Sequence, residues 1–253
     1  MRKTKGEERN EAQKICGSFT LRRSYAASCG VRKKAGRFGK FERHEQFGEH
    51  YGDSDKDTSI VATDKSRKGP AVQDLMKGIT KGKGVSKKPD SRFENAAASF
   101  ALDLFRDEYK SGRKTLVSPL SVFTALAMTQ NGAEDRTLSE MQKTLGGLDR
   151  DVLNAYMNAY LAELTGKDSA LKCANSLWID SRLDVKTSFL QKNADFYSAQ
   201  AYKADFTRKN TVNEINSWVN KNTNGMIKKL VDEFDPLTVM VLMNALCLEA
   251  EWD

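Results

Sequence analysis

The stretch LTVMVLMNALCL, residues 237–248, decides the fold class. Nearly every residue on both of its faces is apolar, which is typical of a central β-strand covered above and below. The stretch is too short to cross a bilayer, so no membrane role is predicted. A buried amide left unpaired at Asn244 would cost about 1 to 3 kcal/mol. We therefore expect Asn244 either to hydrogen-bond inside the domain, with Ser118 and Ser121 as candidate partners, or to face solvent.

Upstream of this strand, the spacing of apolar residues alternates between helical and extended and predicts an α+β domain. The first helix follows a cap at Asp90 or Ser91 and has an apolar face that includes Phe105. A capping box that begins at Thr137 starts the third helix. The predicted elements before residue 237 are helices at about 91–111, 118–130, 137–146, 153–164, 188–197 and 212–224, and strands at about 114–117, 171–179 and 200–206.

The ninety residues before this domain carry the chain's excess of positive charge. They contain 22 Lys and Arg against 12 Asp and Glu, whereas the remaining 163 residues contain 19 against 22. Residues 1–70 show no helical or strand period and are predicted to be a disordered basic arm. Residues 71–90 are predicted to be a flexible linker, and residues 91–253 the ordered domain. Cations alternate with aromatic rings at 32–41, which keeps nucleic acid open as a less favoured partner.

Several classes of function are excluded by the residues that the domain lacks. Both histidines, His44 and His50, lie in the basic arm, so no imidazole chemistry is available to residues 91–253 and no enzyme is predicted. Four cysteines without a close pair are too few for a disulfide scaffold. The stretch 78–83 is one residue short of a phosphate-binding loop. No cofactor and no metal site are predicted, and no signal peptide is visible.

Four groups of sequence motifs resemble the serpins, a family of serine protease inhibitors, in the family's own order across residues 93–252. The motifs are LVSPLSV at 116–122 with ALAM at 125–128 and NGA at 131–133, LKCANSLW at 171–178, INSWV at 215–219 with TNGMI at 223–227, and NAL at 244–246 ahead of Trp252. The segment 71–79 is also similar to a stretch that precedes the domain in some bacterial serpins. The resemblance implies about nine helices around three sheets.

The resemblance also implies a mechanism and places for several residues. A serpin inhibits a serine or cysteine protease as a suicide substrate, because an exposed loop is cleaved as bait and then inserts as a new strand in the largest sheet. Residues matching Ser118, Ser121 and Asn244 form the shutter under the middle of that sheet. The residue matching Trp252 lies at the breach, where insertion begins. Extracellular action is expected from the family.

Departures from the family pattern limit the expectation that this chain inhibits a protease. The aromatic pair usual before the breach tryptophan is replaced by residues 247–251, CLEAE. The hinge and reactive loop belong to the family's part beyond Asp253, so we expect the chain to be truncated before the reactive loop and inactive alone. An incompletely covered strand at 237–248 predicts aggregation. The alternative function is a non-inhibitory scaffold with a basic nucleic-acid-binding arm at 1–90.

Overall fold

The computed structural model describes residues 16–22, 70–167, 169–235 and 237–248, the first of these as backbone only. The described residues form six helices and one mixed sheet of five strands, which confirms the predicted α+β class. The elements are β1 (Cys16–Arg22), β2 (Val72–Asp74), α1 (Ser91–Glu108), α2 (Pro119–Gln130), α3 (Asp135–Thr144), α4 (Arg150–Leu164), β3 (Leu171–Asp180), α5 (Thr187–Tyr197), β4 (Gln200–Ala204), α6 (Lys209–Asn222) and β5 (Thr238–Leu248).

The strands form one sheet in the order β1-β5-β3-β4-β2. β5 is antiparallel to both β1 and β3, β3 is parallel to β4 across α5, and β2 is antiparallel to β4. The central position predicted for β5 is confirmed. Within the strand only Leu248 is exposed, at 59%, and Leu237, which precedes the strand, is 64% exposed. Both edges of β5 are paired, which differs from the incompletely covered strand on which aggregation was predicted.

Two hydrophobic cores lie on opposite faces of the sheet because side chains alternate along each strand. Leu177 and Ile179 of β3 face the core formed with α1, α2, α4 and α5. Trp178 faces the second core, which it shares with Ile215 and Val219 of α6. The predicted split of β3 between two faces is confirmed.

Helix α1 begins as predicted at Asp90, whose carboxylate accepts from the backbone N–H of Arg92 at 3.1 Å and of Phe93 at 3.3 Å. Tyr156 Oη and Arg92 also donate to this carboxylate, and together they hold the pKa of Asp90 well below its ordinary value of 3.8. The predicted buried face is wrong at Phe105. Its ring is 44% exposed and lies against Tyr109, whereas the neighbouring Leu104 packs against the core.

Two local predictions in the helical half are corrected. α3 begins at Asp135, two residues before the predicted capping box, and Glu134 stands at its N-cap and accepts from Lys186 Nζ at 2.9 Å. Residues 114–117 form no strand, since no described strand pairs with them, and Leu116 is exposed.

Residues 75–89, which we call the strap, are fixed rather than flexible. β2 joins the sheet just before them, and the strap then crosses α5 and α4. Gly82 N–H donates to Asp195 Oδ1 at 2.7 Å, and Gly84 O accepts from Asn158 Nδ2 at 3.3 Å. The linker composition was misleading because the anchoring groups belong to distant helices.

The segment 16–22 also differs from the prediction for 1–70, because its backbone pairs with β5 from Met240 to Ala245 and again at Thr238. The residues of β5 that pair with this segment are more than 200 positions away in the chain, so the local sequence pattern of 16–22 does not predict a strand. The remainder of 1–70 and Trp252 lie outside the described residues. No described helix is long and apolar enough to span a membrane.

Candidate functional site

The candidate site is centred on Asn244, in the middle of β5. Asn244 stands opposite Asn175 of β3 in the ladder, and its Nδ2 donates to Asn175 Oδ1 at 2.7 Å. The same amide nitrogen lies 3.2 Å from Cys173 Sγ. Asn244 and Asn175 are only 1% and 4% exposed. Of the two alternatives for Asn244, the structure therefore shows the one in which the side chain is buried and hydrogen-bonded inside the domain.

The two predicted serines lie together at the start of α2, which packs against β5. Ser118 Oγ and Ser121 Oγ are 2.9 Å apart, and Ser121 is buried. Ser118 occupies the N-cap position but its hydroxyl makes no capping bond, because it is engaged with Ser121. Asn244 donates to Asn175 and Cys173 of β3, and the two serines that were its candidate partners are hydrogen-bonded to each other.

A buried chain of polar side chains continues from Asn175 away from β5. Asn175 Nδ2 donates to the carbonyl oxygen of Tyr197 at 2.8 Å, and Tyr197 Oη donates to Asn154 Oδ1 at 2.6 Å. Asn154 Nδ2 donates to Asn131 Oδ1 at 2.8 Å, and Asn131 Nδ2 to Asn193 Oδ1 at 3.1 Å. The centre of the sheet is thus tied to the ends of α2 and α5 and to α4.

Sequence reasoning identified Asn244 but missed these partners. Asn154 and Asn175 also lie within apolar surroundings, and the rule applied to Asn244 would have marked them as hydrogen-bonded. The rule does not say which amide is the hydrogen-bond partner of Asn244, because the β3–β5 register pairs residues about seventy positions apart.

Burial favours the neutral forms of two ionisable members of the site, Cys173 and Tyr197. It raises the pKa of the Cys173 thiol above its ordinary range, so this sulfur is a weak nucleophile. It also raises the pKa of Tyr197 far above the usual value, so its hydroxyl remains a donor. Within the described ranges, no three His, Cys, Asp or Glu side chains group together as a metal site would require. Among the described residues, the site consists of hydrogen bonds between buried amide, hydroxyl and thiol groups.

The comparison with protein families supplies the class. The family model of the serpins, serine protease inhibitors, matches residues 95–253, which are more than half of the chain. This chain belongs to the serpin family, which is described as a family of serine protease inhibitors.

Individual relatives agree with this assignment. An uncharacterised serpin-like protein of Thermococcus kodakarensis is 32% identical over 164 residues, which cover 62% of this chain and 38% of that protein. Human neuroserpin is 30% identical over 168 residues, 63% of this chain and 41% of neuroserpin. The native-state crystal structure of tengpin, a thermophilic serpin, is 38% identical and has a TM-score of 0.66 over 72% of this chain and 48% of tengpin. The chain therefore spans less than half of the length of these relatives.

Proposed function

We propose that this chain supplies the strand-accepting part of a serpin-type protease inhibitor, with Ser118, Ser121 and Asn244 as shutter residues and Trp252 as a breach residue. The target is a serine or cysteine protease. One observation carries the proposal: the amide pair of Asn244 and Asn175 is buried between two central strands, and α2 packs against β5.

This arrangement suits a sheet that must admit a strand. Separating two apolar strands exposes surface that has no alternative partner, whereas amides and hydroxyls can exchange one hydrogen bond for another at small net cost. The hydroxyls of Ser118 and Ser121 lie 2.9 Å apart at the start of α2, which packs against β5, and on this proposal they are the alternative partners when the strands shift.

On this proposal the five-stranded sheet accepts the inserted strand, and the chain spans less than half of the length of its relatives. We therefore expect the chain alone to be digested by proteases and to form no stable adduct. Addition of a C-terminal serpin fragment that carries a hinge and reactive loop should restore trapping, because its strands complete the sheet. Extracellular action is part of the proposal and predicts that the mature protein is recovered outside the cell by fractionation.

The experiment incubates the chain, with and without this fragment, with a panel of serine and cysteine proteases and resolves the products on a denaturing gel. A covalent adduct only in the mixture supports the proposal. Asn244→Ala and Trp252→Ala should reduce the adduct, whereas Asn210→Ala, which changes an exposed asparagine on α6, should not. An adduct with the chain alone would reveal an internal bait, and digestion in every mixture would contradict the proposed function.

A further inference from the structure

A polar groove lies on the side of α6 that is turned away from the sheet. It has a volume of about 510 Å³ and runs between one face of α6 and the loop at 226–232. Lys209, Asn213, Ser217 and Asn220 line the helix side at intervals of three or four residues. None of these four side chains makes a hydrogen bond or ion pair with another described residue.

The opposite wall of the groove is held in place by Asn216. Its Oδ1 accepts from the backbone N–H groups of Leu230 at 2.7 Å and Val231 at 3.0 Å, and its Nδ2 donates to Val231 O at 2.8 Å. Leu230 and Val231 pack against the second core, so the loop that carries Lys228 and Lys229 is anchored at both backbone and side chain. A fixed wall lowers the ordering cost of binding.

The groove carries an excess of positive charge. Three ammonium groups, those of Lys209, Lys228 and Lys229, face one carboxylate, that of Asp232. Asp232 pairs with Lys229. Lys209 and Lys228 have no ion-pair partner among the described residues, so two ammonium groups remain for an anion.

The remaining lining defines the rest of the ligand. Val212 is the one apolar side chain of the lining and no aromatic ring contributes, which disfavours lipids and stacked bases. Amide and hydroxyl groups that lack partners match the donors and acceptors of a polyol. The volume of about 510 Å³ accommodates a small molecule, which stays partly solvated because most of the polar side chains of the lining are exposed. We propose that this groove binds a phosphorylated polyol, such as a sugar phosphate, with the phosphate at Lys209 and Lys228 and the hydroxyls at Asn213, Ser217 and Asn220.

The test is calorimetric titration of the full chain with glucose 6-phosphate, with glucose and inorganic phosphate as separate probes. We expect saturable binding of glucose 6-phosphate, weaker binding of phosphate and no detectable binding of glucose. Lys209→Gln and Lys228→Gln should each weaken binding about tenfold, since a charge-assisted hydrogen bond is lost. Asn220→Ala should weaken the binding of glucose 6-phosphate but leave the affinity for inorganic phosphate unchanged.

The matched control is Lys221→Gln, which makes the same charge change on an exposed residue of α6 outside the groove and should leave the affinity within about twofold. Absence of binding to the wild-type chain, or equal binding by the double Lys209→Gln, Lys228→Gln variant, would overturn the proposal. Inorganic phosphate binding as tightly as glucose 6-phosphate would overturn the polyol part. Thermal melts that match the wild type exclude unfolding as the cause of any loss.

Discussion

The hydrogen bond between Asn175 and Asn244 can be measured by a double-mutant cycle. Asn244→Leu removes the donor of the 2.7 Å bond and leaves Asn175 Oδ1 buried, so we expect the free energy of unfolding to fall by about 1 to 3 kcal/mol. Asn175→Leu should cost at least as much, because it also leaves the carbonyl oxygen of Tyr197 without its donor. The double variant replaces both amides with apolar groups, and its loss should be smaller than the sum by about 1 to 3 kcal/mol.

Urea denaturation followed by circular dichroism gives the three free energies, which are comparable provided that the slope against urea stays constant. The control cycle pairs Asn244→Leu with Thr165→Val, because Thr165 donates to Leu161 O at the end of α4 and shares no partner with Asn244. Its two losses should add within about 0.5 kcal/mol. Equally additive losses for Asn175 and Asn244 would refute the reasoning and remove the physical basis for a shutter at this position.

Three further outcomes are expected in thermal or urea melts. Gly146→Ala should destabilise the protein by about 1 to 3 kcal/mol more than Gly147→Ala. Both glycines have positive φ, but only at position 146 would an added Cβ clash with Ala96 Cβ. Equal losses of stability for the two variants would contradict this. Gln130→Met should stabilise by about 1 to 3 kcal/mol, since the buried Gln130 amide has no partner among the described residues; a loss would reveal a partner. The lowered pKa of Asp90 contributes stability that is present above its ordinary value of 3.8 and is lost as the pH falls below it, so Asp90→Asn should flatten the acid limb of the stability profile, and an unchanged limb would refute this assignment.

The elements that the sequence predicted well are those whose evidence is local. The apolar run of β5, the cap at Asp90 and the alternation across Leu177 and Trp178 each follow from residues within one element. The elements missed depend on distant partners. β2 is polar and short, and it becomes a strand because β4 offers it a ladder about 130 residues away.

The candidate site divides in the same way. One amide in an apolar run marks Asn244 as a residue that must either hydrogen-bond inside the domain or face solvent, and the structure shows the first of these. The partner of Asn244 does not, because it depends on the register between β3 and β5. The strap illustrates the opposite error, since glycine and lysine content predicts mobility, but Asp195 and Asn158 fix its backbone from other helices.

The separation of β3 and β5 in the chain has a consequence during synthesis. β3 is complete at Asp180, but the strand that covers one of its edges begins only at Thr238. A ribosome that adds roughly 5 to 20 residues per second needs about 3 to 12 seconds for the intervening stretch. During that interval the nascent chain presents the free edge of β3, with Asn175 lacking its partner on β5. This edge is where we expect a chaperone to bind first.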